Sequence, residues 1–138
     1  MPTSFRDLEI WRRSLAWATE VHVVTRAFPR EEMWGLAAQV RRAAISVPSN
    51  IAEGHGRLTA ADFKQFLAVA RGSLREAETQ LEMSLRLGYV KQIQVQPLID
   101  EAQAIGRMVS SFISRITEQR SGPATRAQSS KLKAQSSS

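Results

Sequence analysis

The 138-residue chain has no cysteine, only two histidines and one tyrosine, and aromatic residues make up just 7% of it. Without cysteine there is neither a disulfide framework nor thiolate chemistry, which suits a reducing compartment. The two histidines, His22 and His55, offer little to a metal ion. Neither belongs to an HExxH motif, and each follows a glutamate at the second position, as Glu20-Val21-His22 and Glu53-Gly54-His55. Metal sites inside helical bundles use Glu and His three residues apart, so that both side chains share a face. No metal and no cofactor is therefore expected. His22 reads as a partly buried packing residue, and His55, between two glycines, as a solvated turn residue. No glycine-rich loop ends in Lys-Ser/Thr, and the serines lack a His-Asp partner set. The sequence presents no nucleophile, base or oxyanion arrangement, so enzymatic activity is not expected. No apolar run approaches the roughly 18 residues that span a bilayer. The first thirteen residues carry Arg6, Asp7, Glu9, Arg12 and Arg13 instead of the apolar stretch of a secretory signal. A cytoplasmic protein without membrane attachment is the expectation.

Acid is also missing from the last twenty residues, which hold Arg120, Arg126, Lys131 and Lys133. The whole chain carries a net charge of +6; without those four residues it holds 15 basic against 13 acidic groups. Basicity is thus concentrated in a Ser/Ala/Gln-rich tail, 119–138, headed by Gly122-Pro123. Such a segment cannot bury enough apolar surface to offset its ordering entropy and is expected to be flexible. The first 118 residues form the predicted domain.

That domain shows four segments of helical periodicity and no alternating strand pattern. The first runs from about Ser4, a plausible cap, to Phe28 before Pro29. Leu8, Trp11, Leu15, Ala18 and His22 cluster on it, with Ile10, Trp17, Val21, Val24 and Phe28 beside them. Together they cover about half the circumference, wider than the roughly 100° stripe that one core needs. Such an arc implies either burial on two sides or a helix set deep in its own bundle. The first reading assigns Ile10, Trp17, Val21, Val24 and Phe28 to a contact between subunits. The second segment spans about Glu31 to Glu53, with Pro48 inside it and a kink expected there. The third, about Thr59 to Leu87, is capped by Thr59. It contains Gly72, which a close neighbouring backbone would justify. The fourth, about Val95 to Glu118, repeats Val95, Leu98, Ala102, Ile105, Val109, Phe112 and Ile116 in strict 3-4 spacing. Helices of this kind joined by short turns predict an all-α, antiparallel, up-down-up-down four-helix bundle.

Polar residues gather around the second and third segments. Ser46, Asn50, Glu53, Ser73 and Glu76 read either as a structural lock or as a ligand site. In the lock, Asn50 bonds backbone freed by Pro48, and Glu53 pairs with Arg57, Arg71 or Arg75. Arg57, Lys64, Arg71 and Arg75 recur at seven, seven and four, with Arg41 and Arg42 placed beside them. Between residues 33 and 75 there are six basic and two acidic groups. Such a stripe suits a phosphate backbone. A solvated or salt-bridged face fits equally, because Glu76, Glu78 and Glu82 follow at once.

These residues also carry a family resemblance. Phe5-Arg6-Asp7-Leu8-x-Ile10-Trp11 opens it, followed by Arg42-Ala43-x-x-Ser46-x-Pro48-x-Asn50-Ile51-Ala52-Glu53-Gly54. Gly72-Ser73-x-x-Glu76 and Leu87-Gly88-Tyr89 complete it. The chain, over roughly residues 5 to 118, resembles the 23S ribosomal RNA intervening-sequence proteins, small bacterial bundles without an established molecular function. That family is similar in turn to the accessory protein of diversity-generating retroelements, a basic pentameric bundle that binds nucleic acid. The resemblance implies a homopentamer associated with RNA or DNA. The alternative is a protein-interaction scaffold with no nucleic-acid role. A fold-level likeness does not itself establish function.

Overall fold

The computed structural model describes the backbone of residues 3–136 and the side chains of residues 3–118. Four α-helices make up the fold: α1 (Glu9–Val24), α2 (Leu36–His55), α3 (Ala60–Arg86) and α4 (Gln92–Ser136). No strand occurs among the described residues, so the chain is an all-α four-helix bundle. The tail expected to be flexible, 119–138, lies outside the described side chains.

Cross-helix bonds set the direction of each helix. Trp17 Nε1 donates to the Leu98 carbonyl at 2.9 Å, and Arg13, one turn earlier, forks onto Glu101, so α1 and α4 run antiparallel. Lys64 meets Thr117, Arg71 meets Ser110, and Glu78 meets Gln103, so α3 and α4 do the same. Between α2 and α3, Ser46 reaches Ser73 while Gly54 lies against Phe63 and Phe66. Each helix packs on its chain neighbours, and α4 closes the square onto α1.

The periodic apolar positions become the core. Val40, Val47 and Ile51 of α2, Leu67 and Leu81 of α3, and Val95, Ile105 and Val109 of α4 are all fully buried. Burying one such aliphatic side chain is worth about 1.5–3 kcal/mol, so these seams hold the bundle together.

The ends differ from expectation in instructive ways. The first helix is shorter than its pattern suggests. Ser4 caps only a 3-10 turn, Phe5–Asp7, and Leu8 is extended before α1 begins. The second starts at Leu36, not Glu31, because Gly35 adopts φ −106°, ψ −111°, outside the helical region. Glu32 nevertheless caps it, accepting from the Leu36 amide at 3.3 Å. Thr59 caps α3 as expected, accepting from the Asp62 amide at 3.1 Å. Gly88, at φ +77°, ends α3 in a Schellman turn. Its amide bonds the Leu85 carbonyl, and the Tyr89 amide bonds that of Ser84.

Two glycines reverse their expected roles. Gly54, which follows the expected helix end at Glu53, is instead buried inside α2, where an added Cβ would lie 2.6 Å from Phe66 Cβ. Gly72, expected to touch a neighbouring backbone, has nothing within 4 Å of that position.

Candidate nucleic-acid interface

α3 and α4 face each other across a groove of about 490 Å³. Arg71 and Arg75, one turn apart on α3, line it with Arg107 of α4. Small residues, Gly106, Ser110 and Ser111, form the α4 wall and keep the groove open. Arg71 Nη1 donates to Ser110 Oγ at 3.1 Å, which fixes one guanidinium at the groove edge. Glu78 is the only acid in the lining, and its carboxylate accepts from Gln103 Nε2 at 2.7 Å. Among the described residues only two ion pairs form, Arg13–Glu101 and Arg57–Glu53. Arg71, Arg75 and Arg107 therefore have no carboxylate of a described residue within 4.0 Å. Lys64, two turns before Arg71, continues the row and donates to Thr117 Oγ1 at 3.2 Å.

The six basic residues expected to act together do not share one surface. Lys64, Arg71 and Arg75 line the α3/α4 side. Arg57 sits at the α2–α3 turn, held by Glu53 at 2.9 Å and stacked over the Phe66 ring at 4.7 Å. Arg41 and Arg42 lie on the opposite face, between α1 and α2. The i+7 spacing placed three residues on one edge correctly, but Arg41 and Arg42 belong to the far side of α2. Arg107 adds a cation from α4, outside the basic stripe of the second and third helices. Its signal lies in the polar edge of α4 formed by 103, 107, 110 and 114, of which 103, 107 and 114 are exposed.

The polar cluster closes around three of its five members. Ser46 Oγ and Ser73 Oγ are 2.9 Å apart, and Asn50 Nδ2 donates to the Ser46 carbonyl at 2.7 Å and to Ser46 Oγ at 2.9 Å. Asn50 thus bonds Ser46, not the Ala44 carbonyl that Pro48 leaves unpaired. Glu53 pairs with Arg57, one of its three expected partners, apart from the Ser46–Asn50–Ser73 group, and Glu76 accepts from Gln80 instead of joining it.

The assignment of a subunit contact to helix one needs correction. Ile10, Trp17, Val21 and Phe28 are 0–4% exposed inside the bundle, and Val24 is half-buried. The bundle's own core takes this half of the arc, with Trp17 anchored on Leu98 and Phe28 against the Tyr89 ring. The other cluster divides: Leu8 and Ala18 are buried and Trp11 half-buried, whereas Leu15 is 42% exposed and His22 is exposed rather than packed, with Val23 beside it at 50%. With Ile45 of α2 at 59%, Leu15, His22 and Val23 border an apolar groove of about 640 Å³. His55 differs too, being half-buried with its ring edge-on to Phe63 at 5.9 Å. Among the described residues no helix is long and apolar enough to cross a membrane.

A crystal structure of a protein of unknown function from the S23 ribosomal protein family of Bacteroides thetaiotaomicron is similar in fold. It superposes with a TM-score of 0.68 at 22% identity, covering 75% of this chain and 97% of that one. No curated protein matches the chain. The family model for 23S rRNA-intervening sequence proteins matches residues 6–111. The motifs quoted from the sequence lie almost wholly within that span, and the chain belongs to the 23S rRNA-intervening sequence protein family.

Proposed function

We propose that this protein is a non-enzymatic, cytoplasmic, self-associating bundle that binds nucleic acid, RNA foremost, through its phosphates. One observation carries the reading: Arg71, Arg75 and Arg107 converge on the α3/α4 groove with no carboxylate within 4.0 Å among the described residues. Guanidinium groups recognise phosphate oxygens in forked geometry, and unneutralised clusters of them are the electrostatic footprint of a nucleic-acid surface. The family's link by name to 23S rRNA points to RNA as the first ligand to try. A homopentamer is the assembly suggested by the resemblance to the retroelement accessory protein. The apolar α1/α2 groove supports association and also favours the scaffold alternative, in which proteins alone are bound.

The test is a salt series with a labelled ribosomal RNA fragment. Affinity should fall steeply between about 50 and 200 mM salt. Replacing Arg71, Arg75 and Arg107 together by alanine should flatten the log–log slope by roughly 2–3. Replacing Arg12, Arg30 and Arg86, three cations outside the groove, should leave it nearly unchanged. Equal effects from the two triples would reduce the groove to bulk charge, and no RNA or DNA binding at low salt would refute the reading.

A further inference from the structure

The bundle carries a groove and a ridge that nothing within one subunit fills. The groove lies between α1 and α2, about 640 Å³, with Leu15, Val23 and Ile45 half or more solvent-facing. Arg26, Arg41 and Arg42 surround these apolar side chains, and no acid lines the groove. Arg41 is fixed there by its bond to Thr25 Oγ1 at 2.6 Å. Large apolar residues seldom stand together in water without a partner.

The ridge is the outer face of α3. Val69, Gly72, Glu76 and Met83 follow at spacings of three, four and seven, which places them on one face. Val69 and Met83 are 53% and 52% exposed, and Gly72 and Glu76 are exposed. A glycine in the middle of a long helix has a reason when a neighbour approaches closely. Inside the subunit Gly72 has no such neighbour, since nothing lies within 4 Å of a Cβ built there. The missing side chain leaves a low point between the apolar Val69 and Met83, on a face that also carries exposed Gln65 and Thr79, suited to close helix approach. Glu76 supplies a single acid on this face, and it is bonded only by Gln80 at 3.4 Å. Its charge is opposite to that of the groove.

We propose that the α3 ridge of one copy lies in the α1/α2 groove of the next, with Gly72 at the closest approach and Glu76 against the groove arginines. This rests on the self-association part of the proposed function. Because ridge and groove are different surfaces, the contact is head-to-tail, and repetition closes a ring or extends a chain. Helix-in-groove docking supplies the affinity through apolar anchors, and the opposite charges set the register.

Sedimentation of the full chain tests it. The wild type should sediment as a multiple of 15.4 kDa. Gly72→Leu and Ile45→Glu both alter exposed positions, so each should keep its helical circular dichroism. Each should raise the dissociation constant of the assembly at least about tenfold. Mixed one to one, the two variants should recover a discrete complex of two chains, since each retains the surface that the other has lost. A monomeric wild type would refute self-association and this contact with it, leaving the groove to a foreign helix. A wild-type oligomer that survives both substitutions, or a mixture that fails to pair, would refute this contact alone.

Discussion

Changing Gly54 and Gly106 to alanine is the same chemical change in two helices, and the structure gives it opposite signs. Alanine is better than glycine in a helix interior by about 0.8–1.0 kcal/mol. At Gly106, in α4, nothing lies within 4 Å of the new methyl group, so that gain stands alone. At Gly54 the methyl would meet Phe66 Cβ at 2.6 Å, Phe63 Cδ1 at 2.9 Å and Phe66 Cγ at 3.3 Å. Phe66 Cβ is fixed to the α3 backbone, so no rotamer change relieves the clash and the two helices must separate. Overpacking of that kind costs about 1–3 kcal/mol, and the propensity gain is smaller near the end of α2. Gly54→Ala should therefore lose about 1–2 kcal/mol, while Gly106→Ala gains up to about 1. For a chain of this size each kcal/mol moves Tm by roughly 4 °C. Urea unfolding at one fixed protein concentration, followed by circular dichroism, reads both free energies and removes the mass-action contribution of assembly. A Gly54→Ala protein as stable as wild type would mean that α2 and α3 do not approach as closely as described.

Two further measurements probe the bundle's ends and walls. Tyr89 donates to Glu32 Oε2 at 2.8 Å, and this bond to a carboxylate, followed by desolvation, raises its pKa above 10.0. With the folded value raised, the bond's contribution is complete below the ordinary phenol pKa and is lost as pH climbs through the raised one. As the only tyrosine, it can be followed directly by phenolate absorbance. The midpoint should lie above 10.0 and fall back in Glu32→Gln; an unshifted wild-type midpoint would refute the bond. Trp17→Phe removes the donor to the Leu98 carbonyl and leaves a small void, at a cost of about 1–3 kcal/mol in the same urea assay. A neutral result would mean that this wall does not depend on the indole bond.

Much of the architecture was legible because it rests on local rules. The 3-4 seam of α4, the Thr59 cap and the Gly88 terminus were readable from residue type and spacing, and each has its expected partner. What failed depended on atoms distant in sequence. The wide apolar arc of helix one did not show which of its residues the bundle itself buries, because periodicity gives an angle, not a direction. Only the Trp17 bond to Leu98 shows that the Val21 side is inside and the Leu15–Val23 side is out. Gly54 and Gly72 look alike in sequence, and only the position of Phe66 makes one close-packed and the other open. The candidate groove was half legible. Lys64, Arg71 and Arg75 share an edge by spacing alone, whereas Arg107 reaches them through the antiparallel pairing of α3 with α4.

The placement of these surfaces bears on how association and nucleic-acid binding could coexist. In a square bundle the α1/α2 and α3/α4 faces are opposite. The proposed ridge borders the arginine groove along one edge: at roughly 100° per residue, Gly72 lies a quarter-turn from Arg71 but only about 60° from Arg75 around α3. A ridge-to-groove contact thus covers apolar surface while leaving Arg71 and Arg107 uncovered in every copy, with Arg75 at its margin. Linking sites raises the effective concentration for the second contact and increases avidity without adding any new contact type. Three arginines make a weak site at physiological salt, so the strength of binding should follow the number of linked copies. Gly72→Leu, which leaves the arginine groove intact, should therefore weaken binding to a long RNA far more than binding to one spanning a single groove. Equal losses on both lengths would separate assembly from recognition and refute the coupling.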